Sequence, residues 1–174
     1  MIKSEALIFL VNSMSKPEKK AFTITTTGSD IFPDYLKMYH IISKDRNITT
    51  ESLRKSFKKT APHASYNTTV KYLYKRLLDV MLSLREEQDG NYSLYNKILK
   101  ARILFEKSLF EECFSLLQTV INKARKLENY NALLMASRLE LEYLLFLNLP
   151  DLDEKTLLNK QFAINETLRI IQKI

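Results

Sequence analysis

The sequence predicts an all-α protein, with a helical bundle in its N-terminal half followed by antiparallel helical hairpins. Only two glycines and four prolines occur among the 174 residues, and a strand-rich fold would need many more turn residues. Apolar residues recur at the three- and four-residue spacing of helices. An apolar content of 45% argues against disorder, because a chain of this composition can bury a core.

Residues 1–90 are predicted to form an N-terminal helical subdomain. Its first helix covers about residues 4–14, where apolar side chains recur at helical spacing. A second helix begins after Ser15, whose hydroxyl can pair with Glu18 in a capping box. Pro17 fits this start, because proline is tolerated in the first turn of a helix.

The segment after the second helix predicts a break and a new start. Residues 23–27 are five β-branched residues, four threonines and an isoleucine, so the helix is expected to fray before Gly28, with a short strand as the alternative. Asp30 is expected to cap a third helix over residues 31–43, with Pro33 in its first turn.

Two further helices complete the subdomain. Thr49 or Thr50 can cap a short helix that ends near Lys58. A long helix is predicted over residues 65–87, burying its apolar seam in both halves of the chain. Gly90 is expected to end this helix in the left-handed C-cap conformation. The seam consists of Tyr66, Val70, Leu73, Leu77, Val80 and Leu84.

Positive charge is concentrated in one part of the subdomain. Residues 44–76 contain nine Lys or Arg and two Asp or Glu, a net charge of +7 that equals the net charge of the whole chain. A localised basic window is the electrostatic signature of a nucleic-acid-binding surface. The simpler interpretation is a set of solvated helix faces.

Residues 49–87 resemble a helix-turn-helix of the winged type, with a short helix, a turn and a longer helix. Small polar side chains at the start of the longer helix would reach bases or phosphates, and flanking Lys and Arg would neutralise the backbone. Three features count against a winged helix-turn-helix. The turn is long and contains Pro62, no wing strands are predicted, and the tyrosines of the longer helix suit packing. The candidate nucleic-acid contacts are Arg54, Lys55, Lys58, Lys59, Ser65, Asn67, Thr68, Lys71 and Lys75.

Residues 91–174 predict a stack of helical hairpins. The first helix of the hairpin covers about residues 94–107, with Ser93 at its N-cap. A short connection leads to the second helix. Small side chains at Ala101 and Cys113 let the two helix axes approach closely.

This hairpin resembles the tetratricopeptide repeat over about one repeat length. Ala101, Phe110 and Cys113 stand at its small, aromatic and small positions, whereas Ser108 replaces the usual turn glycine and Val120 a second alanine. The chain has no tryptophan. The whole chain also resembles the N-terminal part of a group of uncharacterised bacterial helical-repeat proteins. These resemblances imply a right-handed stack of helices and supply no activity.

Two more helices are predicted after the hairpin. Residues 130–147 suit the next helix of the stack, and Asp151 or Asp153 starts a last helix that reaches Ile174. An apolar residue on an unfinished helix favours further repeats or a covering partner, including a second copy of the chain. The equal alternative is a helix that ends against the core.

The sequence offers little catalytic chemistry. His40 lies among packing residues and His63 follows a loop proline, and neither has cysteines or paired carboxylates at metal-ligand spacing. Carboxylate pairs such as Glu140 and Glu142 are expected on solvated helix faces. Cys113 is expected to be a buried thiol in a reducing compartment, and no apolar stretch is long enough to span a membrane. We therefore expect a cytoplasmic protein that is not an enzyme and needs no cofactor.

The predicted function is a protein-interaction scaffold that presents a groove between stacked helices to a protein or peptide partner. The predicted groove residues are Asn96, Lys100 and Arg138. The alternative is a DNA-binding transcriptional regulator that uses the basic helices within residues 50–76.

Overall fold

The computed structural model describes residues 4–24, 33–148 and 153–173, and these residues form nine α-helices and no strand. The all-α prediction is thereby confirmed. The chain divides into two compact units, unit 1 (Met1–Arg85) and unit 2 (Glu86–Ile174), each with its own apolar core. The helices are α1 (Ser4–Ser13), α2 (Lys16–Ile24), α3 (Asp34–Lys44), α4 (Thr50–Thr60), α5 (Tyr66–Gln88), α6 (Gly90–Glu106), α7 (Phe110–Lys126), α8 (Tyr130–Leu147) and α9 (Glu154–Ile171).

The seam predicted for α5 contributes to the core of unit 1. Val70, Leu73, Leu77 and Val80 are buried, as a helical spacing of three and four residues requires. Around them pack the buried side chains of the other helices of this unit, among them Leu7, Val11, Phe22, Met38, Ile42, Leu53 and Phe57.

The predicted capping box at the start of α2 is present. The backbone N–H and the hydroxyl of Ser15 donate to one carboxylate oxygen of Glu18 at 2.7 and 2.8 Å, and the N–H of Glu18 lies 3.4 Å from the Ser15 hydroxyl. Arg85 donates to the other carboxylate oxygen at 3.4 Å. Glu18 is buried. The hydrogen bonds from Ser15, and more weakly Arg85, hold the pKa of Glu18 below its usual value.

The predicted starts of two helices are wrong. Pro33 is the N-cap of α3, with extended backbone, so it precedes the helix instead of lying in its first turn. Gly90 is the first residue of α6 and has no positive φ. Asp89 caps α6, because its carboxylate accepts the N–H of Asn91 at 2.8 Å, and Ser93 therefore lies inside the helix.

Two other predicted helix starts are confirmed, and the remaining ones lie outside the described residues. Thr49 caps α4 by accepting the N–H of Ser52 at 3.2 Å, and Asp153 caps α9 by accepting that of Thr156 at 3.0 Å. The structure describes none of the positions at which the remaining breaks and caps were predicted. These are Thr25 to Thr27, Gly28, Asp30, Ile31, Asp151 and Ile174.

Unit 2 is a regular array of antiparallel helices. Its helices α6, α7 and α8 begin at intervals of 20 residues and are joined by turns of three residues. Each helix packs against the next, and α8 also packs against α6. The small residues Ala101 and Cys113 are fully buried in the shared core, as close approach of the α6 and α7 axes requires.

The turn between α6 and α7 is a Schellman motif. Ser108 has the left-handed φ of 59°. Its N–H donates to the carbonyl of Phe105, and the N–H of Leu109 donates to the carbonyl of Leu104, both at 2.9 Å. This pattern satisfies carbonyls at the end of a helix. Leu109 is also the N-cap of α7, so one residue ends the first helix and begins the next.

The turn between α7 and α8 repeats this geometry. Glu128 has a φ of 53°, and the N–H of Asn129 donates to the carbonyl of Ala124 at 2.9 Å. Asn129 is also the N-cap of α8, and its side chain accepts the N–H of Ala132 at 2.9 Å. The two turns therefore give successive helices the same change of direction.

We expect the conservative substitution Glu18→Gln to reduce the pH dependence of unit 1 stability. A lowered folded-state pKa means that the carboxylate stabilises the fold fully above its unfolded value near 4.3. This contribution is lost as pH falls through the lower folded pKa. The variant should lose about 1 kcal/mol at neutral pH and show a shallower decline on acidification. Urea titrations followed by circular dichroism over a pH series measure this.

Glu5→Gln on the exposed side of α1 is the control for the loss of one carboxylate. A decline with acid that is equally steep in wild type and Glu18→Gln would contradict a stabilising role for the charged Glu18 side chain.

We expect Ser108→Gly to stabilise unit 2 by about 0.5 to 1 kcal/mol, because a non-glycine residue in left-handed backbone costs about 1 kcal/mol. Ser115→Gly, at an exposed position inside α7, is the matched control and should destabilise by roughly 0.5 kcal/mol. Thermal and urea unfolding compare the two variants. Destabilisation by both would show that the turn gains nothing from glycine.

Candidate functional site

The exposed faces of α4 and α5 carry the basic residues predicted to contact nucleic acid. Leu53 and Phe57 are buried and so orient the opposite side of α4 toward solvent. Ser65 precedes α5 and accepts the N–H of Thr69 at 2.9 Å through its carbonyl, while Val70 faces the core. The predicted contact residues are all exposed: Arg54, Lys55, Lys58, Lys59, Ser65, Asn67, Thr68, Lys71 and Lys75.

The structure joins the basic side of α4 to the first turn of α5 through Tyr66. The guanidinium of Arg54 lies 5.1 Å from the centre of the Tyr66 ring, a cation–π contact. The rings of Phe57 and Tyr66 meet edge to face at 6.0 Å. The Tyr66 hydroxyl lies 2.9 Å from the Ser4 hydroxyl oxygen of α1. The start of α5 is therefore held against two other helices.

Unit 1 carries the positive charge of the chain. It contains fifteen Lys or Arg and seven Asp or Glu, for a net charge of +8, whereas unit 2 has twelve and thirteen, for a net charge of −1. In the described part of unit 1, Glu18 and Asp34 form ion pairs with Arg85 and Lys37. Within the same described residues, none of the Lys and Arg side chains of α4 and α5 that were predicted to contact nucleic acid forms an ion pair.

The connection between α4 and α5 departs from a compact helix-turn-helix. It contains five residues, Ala61 to Ser65, where the usual turn has three or four. No wing strand is formed among residues 66–148, which follow the connection up to the end of α8. Tyr66 and Tyr72 make packing contacts as well, since the ring of Tyr72 lies 5.1 Å from that of Tyr35. The likeness is therefore limited to the helix pair and its charge.

The predicted groove residues of unit 2 lie on two helices. Asn96 and Lys100 are neighbours on α6 and both donate to the carboxylate of Glu86, Lys100 at 3.3 Å. Arg138 is exposed on α8. Within the residues that the structure describes, Arg138 has no ion-pair partner.

Helices α6 and α8 are parallel neighbours. Near their N-terminal ends, Asn129 donates to the side chain of Asn91 at 2.8 Å and lies 3.4 Å from the hydroxyl of Tyr95. Near their C-terminal ends, the rings of Phe105 and Tyr143 stack at 3.6 Å. Because matching ends meet, the two helices run side by side in the same direction.

Sequence reasoning missed the exposed apolar residues of these two helices. Leu99 and Ile103 of α6 are 59% and 55% exposed, and Met135 and Phe146 of α8 are 49% and 75% exposed. Each lies outside the apolar seam of its helix. Apolar residues beyond those that the seam needs are the sequence signal that could have identified them. We call these four residues together with Arg138 the α6–α8 face.

Glu140 is buried, which contradicts its predicted place on a solvated face. Its carboxylate accepts hydrogen bonds from the side chains of Gln118 on α7 and Lys160 on α9, the latter at 2.8 Å. A cavity of about 320 Å³ lies beside it between α7, α8 and α9. A buried charge with these partners is satisfied, so we assign Glu140 to helix packing.

Residues 4–24, 33–148 and 153–173 contain neither a cluster of potential metal ligands nor a helix that could span a membrane. No group of three or more His, Cys, Asp or Glu side chains in these ranges is placed to hold a metal ion. No helix in the same ranges is long and apolar enough to cross a bilayer.

Comparisons with protein-family models, curated proteins and solved structures found no match. The resemblance of α6 and α7 to a tetratricopeptide repeat therefore stays a prediction. Among the described residues, the basic side of α4 and α5 in unit 1 and the exposed apolar residues of α6 and α8 in unit 2 are candidate binding surfaces.

Burial raises the pKa of the Cys113 thiol, and its side chain is fully enclosed. Because the thiolate is the reactive species, we expect the native protein to react with a disulfide reagent about a hundredfold or more slowly than the protein in denaturant. Absorbance of the released thiol measures both rates. Rapid labelling of the native protein would contradict the buried position.

Proposed function

We propose that unit 2 is a protein-interaction scaffold whose α6–α8 face binds an amphipathic helical segment of another protein. The observation that carries the proposal is the exposure of four large apolar side chains on two helices that pack side by side. Large apolar patches on a protein surface are characteristic of interaction sites.

The dimensions of the face suit a helix as partner. With 17 and 18 residues, α6 and α8 are each about 25 Å long at 1.5 Å per residue. The shallow surface between two parallel helices accommodates the apolar side of a third helix, as in other helix-in-groove complexes. A partner of about five turns would cover this length.

The charge on the face adds a requirement for the partner. Arg138 is exposed beside Met135, one helical turn along α8. A carboxylate on the partner can pair with this guanidinium in a charge-assisted hydrogen bond. The chemistry of the proposed partner is therefore a stripe of apolar residues with at least one acidic residue beside it.

The rigidity of the two turns supports binding at this face. The Schellman motifs at Ser108 and Glu128 hold α6, α7 and α8 in a fixed arrangement, so little conformational freedom is lost when a partner binds. Leu99 and Met135 are therefore exposed in the same positions before the partner arrives.

Selection of helical peptides from a displayed library on the purified chain tests the proposal. We expect recovered peptides to carry apolar residues at three- and four-residue spacing and to lose about tenfold or more in affinity on Met135→Glu. Leu158→Glu on α9, at a side chain that is 50% exposed, is the matched control and should retain affinity. Equal losses in both variants, or no binding peptide, would contradict the proposal.

The charge reversals Lys100→Glu and Arg138→Glu test the predicted groove residues. We expect Arg138→Glu to weaken acidic peptides, because like charges then oppose each other. Lys100→Glu should act less, since Lys100 already pairs with Glu86. If a selected peptide binds the double variant unchanged, the groove does not include these residues.

A further inference from the structure

We propose that the basic surface of unit 1 binds duplex DNA, with the first turns of α5 in the major groove and α4 along the phosphate backbone. This activity is independent of the α6–α8 face and goes beyond the interaction function proposed for unit 2. Arg54, Lys55, Lys58 and Lys59 on α4, with Lys71 and Lys75 on α5, define the surface.

The first observation in support of DNA binding is that the charged residues of this segment are all positive. Between Glu51 and Asp79 the chain contains seven Lys or Arg and no acidic residue. Lys71 and Lys75 stand one helical turn apart on α5, about 6 Å along the axis, and two pairs on α4 have the same spacing. A polyanion with closely spaced phosphates matches such an array, because each neutralised phosphate releases a counterion.

The second support is the packing that holds the two helices together. Arg54 lies over the ring of Tyr66 at 5.1 Å, and Phe57 meets the same ring at 6.0 Å. The basic side of α4 is thus fixed next to the start of α5. Burial of Val70 and Leu73 sets the rotation of α5, so that its polar positions face solvent before any ligand binds.

The third support is the set of small polar side chains at the start of α5. Asn67 and Thr68 are exposed in its first turn, one turn before Lys71. An asparagine amide can pair with the N6 and N7 edge of adenine, and the N-terminal residues of a recognition helix commonly reach base edges. Both side chains carry the donor and acceptor groups that such contacts use.

An exposed helix favours DNA over duplex RNA. The major groove of B-form DNA is about 12 Å wide and admits an α-helix. The corresponding groove of A-form RNA is too deep and narrow to be read by side chains. The same surface is therefore expected to prefer a DNA duplex to an RNA duplex of equal length and charge.

Fluorescence anisotropy with the full chain and a labelled mixed-sequence DNA duplex tests this, over a salt series. We expect the logarithm of the affinity to fall linearly with the logarithm of salt concentration. Lys71→Glu with Lys75→Glu should lower the affinity about tenfold or more and reduce the salt slope by about two. Circular dichroism and thermal unfolding verify that the variant is folded.

Lys155→Glu with Lys173→Glu is the matched control, because both lysines are exposed on unit 2 and the change in net charge is identical. This variant should retain the affinity to within about twofold. Equal losses in the two double variants would show attraction to the overall charge and overturn the proposal, as would flat anisotropy at low salt.

A matched RNA duplex gives a further discriminating measurement. Weaker binding of RNA than of DNA is expected from the groove dimensions. Equal binding of both duplexes would overturn the placement of α5 in the major groove. Asn67→Ala should change the preference among DNA sequences while leaving the salt slope unaltered, because its proposed contact is with a base.

Discussion

The left-handed backbone at two turns of unit 2 is the constraint on which the rest of that unit depends. At Ser108 and Glu128 the chain reverses within three residues, and the residue that follows each of them already caps the next helix. Both turns thereby set the direction of the next helix. Helices α6 and α8 consequently lie parallel, which brings Phe105 against Tyr143 and forms the α6–α8 face.

The orientation of α4 and α5 has a different origin. Here buried apolar residues determine which sides of the helices face solvent. The exposure of the basic residues is a consequence of that rotation. Leu53 and Phe57 turn the lysines of α4 outward, and Val70 and Leu73 do so for α5. Tyr66 then links the two helices. The net charges of +8 and −1 on the two units give their surfaces different chemistry.

Local signals could be read from the sequence where a short segment decides the outcome. The Ser15–Glu18 capping box forms because its partners are three residues apart, and α8 has the predicted bounds. Gly90 was misassigned because two local rules competed there. Asp89 is a strong N-cap, and its carboxylate and carbonyl begin α6 directly after α5, so no separate C-cap glycine is needed.

The sequence by itself determined the helices, the caps at Ser15, Thr49 and Asp153, the apolar seams and the position of the basic window, because these depend on neighbours within a few turns. Only the tertiary structure decided which off-seam residues stay exposed and which polar ones are buried. Phe146 is exposed and Glu140 is buried with Gln118 and Lys160. Periodicity along one helix cannot predict this, since it depends on which other helices pack against it.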